Sequence, residues 1–396
     1  MPLDAEAARL TETLPTNKDT GPDGKTRGSF WLSNVKRRLV ANPHFRSVVQ
    51  RTPLLRSIAS QSANNVFQLT SGFINSQILL ACEELNLFEE LSTPTSVLDL
   101  SKRWQMTPQR TERLLHAAQG LKLVYAVNQH QYALDEHGIV IAQSAGIRAM
   151  IRHHAAVYRD LADPVALLKR DKTNTETARF WSYVGDGEQW GKNVGSKDAN
   201  NYSTLMRLSQ AMVIEQVLDA YAIGHKHIGL IDIGGGDGAF VAAAAARWKR
   251  LDVGIFDLPA VAENARKRLA SCDFSDRLNV YGGSFFDDDI PTNADCFSLI
   301  RVLYDHNDDA ALSILRSVRK AMAPGDTLVI GEPLAGDKQG ERLVQAYFSF
   351  YLLAMQSGKC RTARELKQML KRAGFASARQ IQTAIPVISG AIVARA

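Results

Sequence analysis

The chain has 396 residues with a formal net charge of +6, and 45% of its residues are hydrophobic. This length predicts two domains, or one large domain with an extension. Its four cysteines have no paired spacing, which argues against a disulfide framework or a metal site and favours a reducing compartment. No apolar run reaches the ~18 residues of a membrane span, so we expect a cytoplasmic protein.

The N-terminal part of the chain is polar at first and then basic. Residues 1–28 lack an apolar core of signal-peptide length, which predicts a disordered tail. Residues 29–56 interleave cations such as Arg37 with apolar side chains, and such a stretch can lie on an anionic membrane surface. The alternative is a solvated helix face, which Pro43 and Pro53 favour because they interrupt a long amphipathic helix.

Helices followed by a hairpin are predicted for the rest of an N-terminal domain over residues 29–140. The helical segments are residues 78–88, 97–104 and 114–121, the last with Thr107 as cap and Pro108 in the first turn. Residues 122–127 and 131–134 flank a polar turn and predict the hairpin. Together they predict a winged-helix module.

Winged-helix modules often bind DNA, so a ligand-sensing regulator is an alternative from a different functional class. The helix that would read bases carries Arg110 and Arg113 but continues into an apolar run from Leu114. A base-reading helix needs more polar groups that face outwards, so we expect no nucleic-acid partner.

Residues 141–222 are predicted to be a helical linker that contributes to a substrate pocket. Strands and helices then alternate through residues 223–396. The strands are predicted at 228–233, 252–256, 278–282, 294–301 and 327–332, and the helices at 239–249, 259–270 and 310–322. This alternation is typical of an α/β fold with a Rossmann-like, doubly wound parallel sheet.

A glycine loop follows the first of these strands. It reads Asp232-Ile233-Gly234-Gly235-Gly236-Asp237-Gly238, and Asp257 closes the next strand at the distance expected of an acid that holds a ribose. The spacing departs from the dinucleotide fingerprint, and carboxylates beside the loop repel a pyrophosphate. S-adenosylmethionine carries a sulfonium, an ammonium and a ribose but no phosphate, so this loop favours it over a dinucleotide.

Four segments, in this order of elements, resemble the class I S-adenosylmethionine-dependent small-molecule O-methyltransferases. They are residues 231–238, 256–259, 282–286 and 301–309. Further segments are similar to the carotenoid 1-hydroxyl methyltransferases of purple bacteria, namely residues 160–168, 179–181, 304–306 and 345–355. The resemblance covers about residues 65 to 396.

The resemblance implies a homodimer, formed through the winged-helix domain, whose sheet binds the methyl donor. It places a set of residues at the donor: Asp232, Gly234, Gly235, Gly236, Asp257, Leu258, Ser284, Phe285 and Arg301. In this set Asp257 binds the ribose hydroxyls and Phe285 packs on the adenine. Ser284 stands where the family usually has an acid, and Arg301 where many relatives carry Lys.

The catalytic segment departs from the family pattern. Tyr304-Asp305-His306 replaces the usual His-Asp-Trp, Glu332 matches one family glutamate, and Cys360 occupies the position of the other. A phenol with a pKa near ~10 is a poor base at neutral pH. Tyr304 through a relay, His306, Glu332 and Asp305 are therefore all candidate proton acceptors. For His306 the alternative is packing on the adenine, and for Glu332 it is a solvated acid at a strand end.

The resemblance implies a long, apolar polyene substrate, an acyclic carotenoid that is methylated on its tertiary 1-hydroxyl. The candidate pocket residues are Phe180, Trp181, Met206, Tyr347, Phe350 and Tyr351. Aromatic and flexible side chains suit a polyene, although an aromatic helix is also typical of plain core. A polyene resides in lipid, so peripheral contact with the inner, photosynthetic membrane is expected. The alternative acceptors are a bacteriochlorophyll precursor and a polyketide phenol.

Overall fold

The computed structural model describes residues 53–169, 174–181 and 196–396. Side chains are described from residue 60 in the first of these ranges and from residue 208 in the last. The predicted tail, residues 29–52 of the basic stretch and the side chain of Met206 lie outside the described residues. The chain divides into two compact units, Met1–Ser76 and Gln77–Ala396. Nowhere in the described ranges is there a helix long and apolar enough to cross a membrane. The domain boundaries expected from the sequence stay predictions.

Helix α1 spans Pro53–Glu84 and is followed by the short helix α2, Leu87–Glu90. The single helix predicted over residues 78–88 is therefore wrong at its C-terminal end. The reason is Asn86, whose left-handed backbone (φ 53°) ends one helix and begins the next.

The winged-helix prediction is confirmed in its elements. Helices α3 (Val97–Arg103) and α4 (Pro108–Gly120) precede strands β2 (Val124–Ala126) and β3 (Gln131–Leu134), which pair antiparallel. The Thr107 hydroxyl accepts a hydrogen bond from the backbone N–H of Arg110 and so caps α4. The additional strand β1 (Thr95–Ser96) also pairs with β3; at two residues it is too short to leave a sequence pattern.

Among the described residues, five helices connect this module to the sheet: α5 (Glu136–Ala142), α6 (Ala145–Asp160), α7 (Pro164–Lys169), α8 (Glu176–Phe180) and α9 (Ser196–Ala220). The α6 and α9 backbones approach closely at Gly146, where a Cβ atom would overlap the carbonyl oxygen of Leu208. This contact requires glycine and fixes α6 against the helix that leads into the sheet.

In the part of the chain that the structure describes, the central sheet has seven strands in the order β6-β5-β4-β7-β8-β10-β9. Its parallel part consists of β4 (Gly229–Ile233), β5 (Asp252–Asp257), β6 (Leu278–Gly282), β7 (Cys296–Ile300) and β8 (Thr327–Glu332). Helices α10 (Ala239–Arg247), α11 (Pro259–Leu269) and α12 (Asp308–Ala321) connect these strands. The doubly wound prediction is confirmed for this part.

The C-terminal part adds helices α13 (Gln339–Met355) and α14 (Ala363–Arg372) and strands β9 (Ser377–Ile381) and β10 (Gly390–Arg395). Strand β10 is antiparallel to both β8 and β9, so the sheet is mixed rather than wholly parallel. The connection from β9 to β10 is short and carries no crossover helix, which is why the pair is antiparallel.

Apolar side chains cover both faces of the sheet. One face packs against α9, α10 and α11 through residues such as Val217, Phe240 and Leu269, and the other against α12 and α14 through Leu315 and Leu366. Strands β4, β7 and β8 are buried along their whole length, as expected of central parallel strands.

Candidate functional site

The chain reverses its direction of winding at β4. From β4 it proceeds to β5 and β6 on one side, and it returns to β7 and β8 on the other. In such sheets the carboxyl ends of the two strands beside the reversal diverge and leave a crevice for a ligand. The loops after β4 and β7 flank this crevice, and they contain the glycine loop and the Tyr304 segment.

The glycine loop needs glycine for two reasons. Gly234, Gly236 and Gly238 have positive φ values of 68°, 58° and 82°. A Cβ atom on Gly234 would lie 2.9 Å from Val302 Cγ2, whereas one on Gly236 would have no neighbour within 4 Å. The loop therefore turns tightly against the sheet and leaves open space above Gly236 for a ligand.

Asp257, at the end of β5, is bound to the same loop. Its Oδ2 accepts a hydrogen bond from Gly236 N (2.8 Å), and its Oδ1 accepts one from Leu258 N (2.7 Å). Burial raises the pKa of Asp257, and these two hydrogen bonds oppose the rise. Asp257 as a whole is half-buried at this end of the sheet.

Asp232 lies beneath the loop and is almost fully buried. Its Oδ1 accepts a hydrogen bond from Ser298 Oγ (2.6 Å), but among the described residues Oδ2 has no partner. Burial raises the pKa of Asp232 to about 8. A Cβ atom on Gly235 would lie 3.0 Å from Oδ2, so this oxygen is directed at the loop backbone. A buried, unpaired carboxylate oxygen beneath an open loop suits a cationic ligand.

Aromatic rings gather on the β6 side of the crevice. The rings of Phe285 and Phe286 lie 4.8 Å apart, and the His306 imidazole is perpendicular to Phe285 at 5.8 Å. Ser284 stands at the position of the usual family acid, and its hydroxyl donates a hydrogen bond to the Asp287 carboxylate (3.1 Å). A carboxylate is therefore present next to that position, bound to the serine. This group provides flat apolar surface for a base.

Tyr304 lies in the short 3₁₀ turn Leu303–Asp305 after β7, and its side chain is buried. Arg301 donates hydrogen bonds to Tyr304 Oη (3.1 Å) and to Ser209 Oγ (2.8 Å). Its guanidinium is therefore directed at the phenol, and the structure shows no bond from it to the glycine loop. Burial raises the pKa of Tyr304 further above its usual range, although Arg301 opposes the rise. Tyr304 is a neutral phenol at physiological pH.

Two buried carboxyl groups flank the phenol. Burial raises the pKa of Asp305 to about 7, while the nearby Arg301 guanidinium and Tyr304 hydroxyl lower it. Burial also raises the pKa of Glu332 to about 8. Glu332 is fully buried and accepts a hydrogen bond from Tyr304 N (3.2 Å), so the alternative of a solvated strand-end acid is wrong. Cys360, at the second glutamate position, has a thiol pKa raised by burial to about 12.

The aromatic helix α13 contacts this turn directly. The Phe348 ring is perpendicular to Tyr304 at 5.6 Å, and the rings of Tyr347 and Tyr351 stack at 5.5 Å. Trp181 Nε1 donates a hydrogen bond to Tyr351 Oη (2.8 Å), and Phe180 packs on the buried residues of the same cluster. Phe350 is 38% exposed and lies outside the buried group.

Sequence reasoning missed three polar side chains at this site. His153 Nε2 lies 2.8 Å from Tyr351 Oη, and His154 Nε2 lies 2.6 Å from Tyr347 Oη. Burial lowers the pKa of both histidines to about 4, so they are neutral and accept hydrogen bonds from the tyrosines. Ser209 is the third. A His-His pair on an amphipathic helix was the available signal for the first two.

The described residues contain no group of three or more His, Cys, Asp or Glu side chains that could hold a metal ion. The site consists of a glycine loop with two acids, an aromatic group beside it, and a buried phenol between carboxyl groups and an aromatic wall.

Comparison with known proteins identifies the family. A sequence model of the O-methyltransferase domain matches residues 158–376. The chain belongs to this family, and it is an S-adenosylmethionine-dependent O-methyltransferase.

The chain is 36% identical over 371 residues to demethylspheroidene O-methyltransferase of Cereibacter sphaeroides, covering 93% of this chain and 96% of the relative. It is also 36% identical to the protein of that name from Rhodobacter capsulatus, covering 91% and 89%. Human N-acetylserotonin methyltransferase in complex with SAM has a similar fold, with a TM-score of 0.68, 22% identity, and coverage of 85% of this chain and 97% of that one.

Proposed function

We propose that this enzyme methylates the tertiary 1-hydroxyl of an acyclic carotenoid. The observation that carries the proposal is the aromatic wall on Tyr304, in which the hydroxyls of Tyr351 and Tyr347 are paired to the neutral side chains of His153 and His154. A wall whose polar atoms are satisfied internally presents apolar faces to its ligand. The names of the two relatives at 36% identity support the same substrate class.

We infer the donor-binding roles from how the residues around the crevice suit the chemical groups of S-adenosylmethionine. The open space above Gly236 admits the donor, and a negative charge on Asp232 beneath the loop would favour the positive charges of S-adenosylmethionine. Asp257 would bind the ribose hydroxyls, and Phe285 would pack on the adenine. His306 contacts Phe285 and Phe286, so we assign it to the adenine side rather than to proton transfer.

We place Arg301 beside the methyl acceptor, whereas the family resemblance implied a position at the methyl donor. Its two hydrogen bonds hold Tyr304 Oη and Ser209 Oγ, and it occupies a lone pair of the phenol. The phenolic hydrogen is then available to the Asp305 carboxylate. Tyr304 can accept a hydrogen bond from the substrate hydroxyl while it donates to Asp305.

When bound, the donor would supply an electrophilic methyl group on its sulfonium. The acceptor oxygen attacks this methyl carbon, the carbon–sulfur bond breaks, and S-adenosylhomocysteine leaves as a neutral thioether. Well-oriented reactants gain on the order of 7–11 kcal/mol from proximity, so the strong base of the wider family is not essential. A tertiary alcohol is a very weak acid, and its proton leaves during or after attack. We propose that this proton passes through Tyr304 to Asp305, whose pKa of about 7 suits an acceptor at neutral pH.

A test of this function separates substrate class from donor binding. The enzyme is incubated with methyl-labelled S-adenosylmethionine and a 1-hydroxy carotenoid in liposomes, with a bacteriochlorophyllide and a simple phenol in parallel. Label on the carotenoid alone supports the proposal. Label on the phenol or the bacteriochlorophyllide instead would overturn the assignment of the acceptor.

We also propose a homodimer that uses α1. Large apolar side chains on this helix are exposed, including Phe67 (70%), Leu69 (83%) and Phe73 (68%). Clustered exposed apolar residues mark interaction surfaces. Light scattering should give a dimeric mass for the wild type and a monomeric mass for Phe67→Ser/Phe73→Ser. The control Leu98→Ser, at a residue 61% exposed on α3, should stay dimeric.

Peripheral membrane contact through the basic stretch is a separate proposal. Since α1 begins at Pro53, removal of residues 1–52 leaves this helix intact. The truncated protein should bind anionic liposomes more weakly than the full chain while it retains its affinity for S-adenosylmethionine. Equal co-sedimentation of the two proteins would contradict the proposal.

A further inference from the structure

A buried arginine spans both ends of the turn that carries Tyr304. Arg361 Nη1 donates a hydrogen bond to the Leu303 carbonyl (2.8 Å), and Nη2 donates one to the His306 carbonyl (2.8 Å). The Arg361 side chain is fully buried, and its Nε donates to Asp308 Oδ1 (2.8 Å) at the start of α12. One planar guanidinium thus fixes three points around the turn.

Two neighbours of Arg361 bind the carbonyls that lie between those ends. Lys359 N donates to the Tyr304 carbonyl (2.8 Å), and Ser357 Oγ donates to the Asp305 carbonyl (2.7 Å). Gly358, between them, has a φ of 90°, and a Cβ atom there would overlap the Tyr304 carbonyl oxygen. The loop from Ser357 to Arg361 therefore lies directly against the turn, and it satisfies each backbone carbonyl from residue 303 to residue 306.

The buried charge links the arginine to the turn. A buried guanidinium is costly unless its N–H groups are satisfied, and here two of its partners are carbonyls of the turn itself. Arg361 is therefore well accommodated only when the turn has this conformation. The opposite side of the turn is held by Glu332, which accepts the Tyr304 N–H.

We propose that Arg361 is a positioning residue for methyl transfer, and that Ser357, Lys359 and Arg361 form a carbonyl clamp on the Tyr304 turn. The catalytic part of this inference rests on the proposed function. The clamp touches only the backbone of the turn, yet it fixes where Tyr304 and Asp305 place their reactive oxygens. A displacement of about 1 Å at such a site can cost ~100-fold in rate.

Arg361→Lys is the informative change because it keeps the charge and loses the planar, two-carbonyl geometry. We expect kcat to fall ~10- to 100-fold, with the dissociation constant for S-adenosylmethionine within about 2-fold of the wild type. Ser357→Ala, a milder change that removes a single hydroxyl, should lower kcat by about 3- to 10-fold. The control Arg364→Lys, at an exposed arginine, should match the wild type.

Hydrogen–deuterium exchange gives a readout that does not depend on turnover. In Arg361→Lys the amides of residues 303–307 should exchange faster, while those of residues 233–238 should be unchanged. Exchange and kcat both at wild-type values would overturn the clamp and leave the carotenoid proposal intact. A fall in kcat with equally weakened donor binding would overturn it too. If exchange at the turn is faster in Arg361→Lys but the wild-type enzyme methylates no carotenoid, the clamp is supported and the proposed substrate is wrong.

Discussion

Asp305→Asn tests the proton path most sharply. The change keeps the shape of the side chain and its ability to accept from Tyr304, but it removes the ability to take up a proton. The pKa of about 7 predicts that at pH 6 roughly one-tenth of the wild-type carboxyl groups are ionised, and at pH 5 about 1%. Wild-type kcat should therefore fall about tenfold per pH unit below pH 7.

The variant should lose its acid limb together with most of its rate. A positioned general base contributes ~10²–10⁴-fold, so we expect kcat at pH 8 to fall at least ~100-fold, or roughly 2.7 kcal/mol in the barrier. Stopped assays from pH 5 to pH 9 with saturating donor measure this, and calorimetry confirms unchanged donor affinity. Asp309→Asn, at an exposed neighbour, is the matched control. A variant that retains wild-type kcat, or that keeps the acid limb, would refute the role of Asp305.

Three further predictions use the same assays. Tyr304→Phe should leave donor affinity unchanged and lower kcat by ~10- to 100-fold, because the relay oxygen is lost; unchanged kcat would move the proton path away from Tyr304. Asp257→Ala should raise the dissociation constant for S-adenosylmethionine by about 10- to 100-fold, since charge-assisted hydrogen bonds contribute about 1.5–3 kcal/mol, and an unchanged value by calorimetry would contradict its ribose role. In the folded chain the pKa of Glu332 is raised to about 8. Its contribution to the free energy of unfolding is therefore complete below about pH 4.5 and is lost as the pH rises to about 8. In this range the free energy of unfolding falls by up to about 1.4 kcal/mol per pH unit. Urea unfolding of Glu332→Gln at pH 6 and pH 7.5 should therefore show a flatter pH dependence than the wild type, and an equal slope would count against this account.

Local patterns in the sequence were sufficient to predict the half of the site that would bind the methyl donor. The glycine loop and Asp257 are separated by one helix and one strand, and the parallel arrangement brings them together by the topology alone. The hairpin and the Thr107 cap were predictable for the same reason, since each depends on residues a few positions apart. Each of these features is determined by residues that lie close together in the sequence.

The acceptor half depends on contacts that no short window contains. His153 pairs with Tyr351 from a position 198 residues away, and the carbonyl clamp uses backbone acceptors, which have no residue signature. Strand β9 is mostly exposed and polar, so it lacks the apolar run that reveals the central strands. The complete burial of Glu332 likewise depends on the folded chain, in which Thr362 pairs with Ala335 just after β8.

Mass-spectrometric detection of labelled methyl transfer to a 1-hydroxy carotenoid is the decisive experiment for the proposed substrate. We expect one added labelled methyl group on the carotenoid hydroxyl, and none on a bacteriochlorophyllide or a simple phenol under the same conditions. Transfer to either of the other two acceptors, with none to the carotenoid, would contradict it.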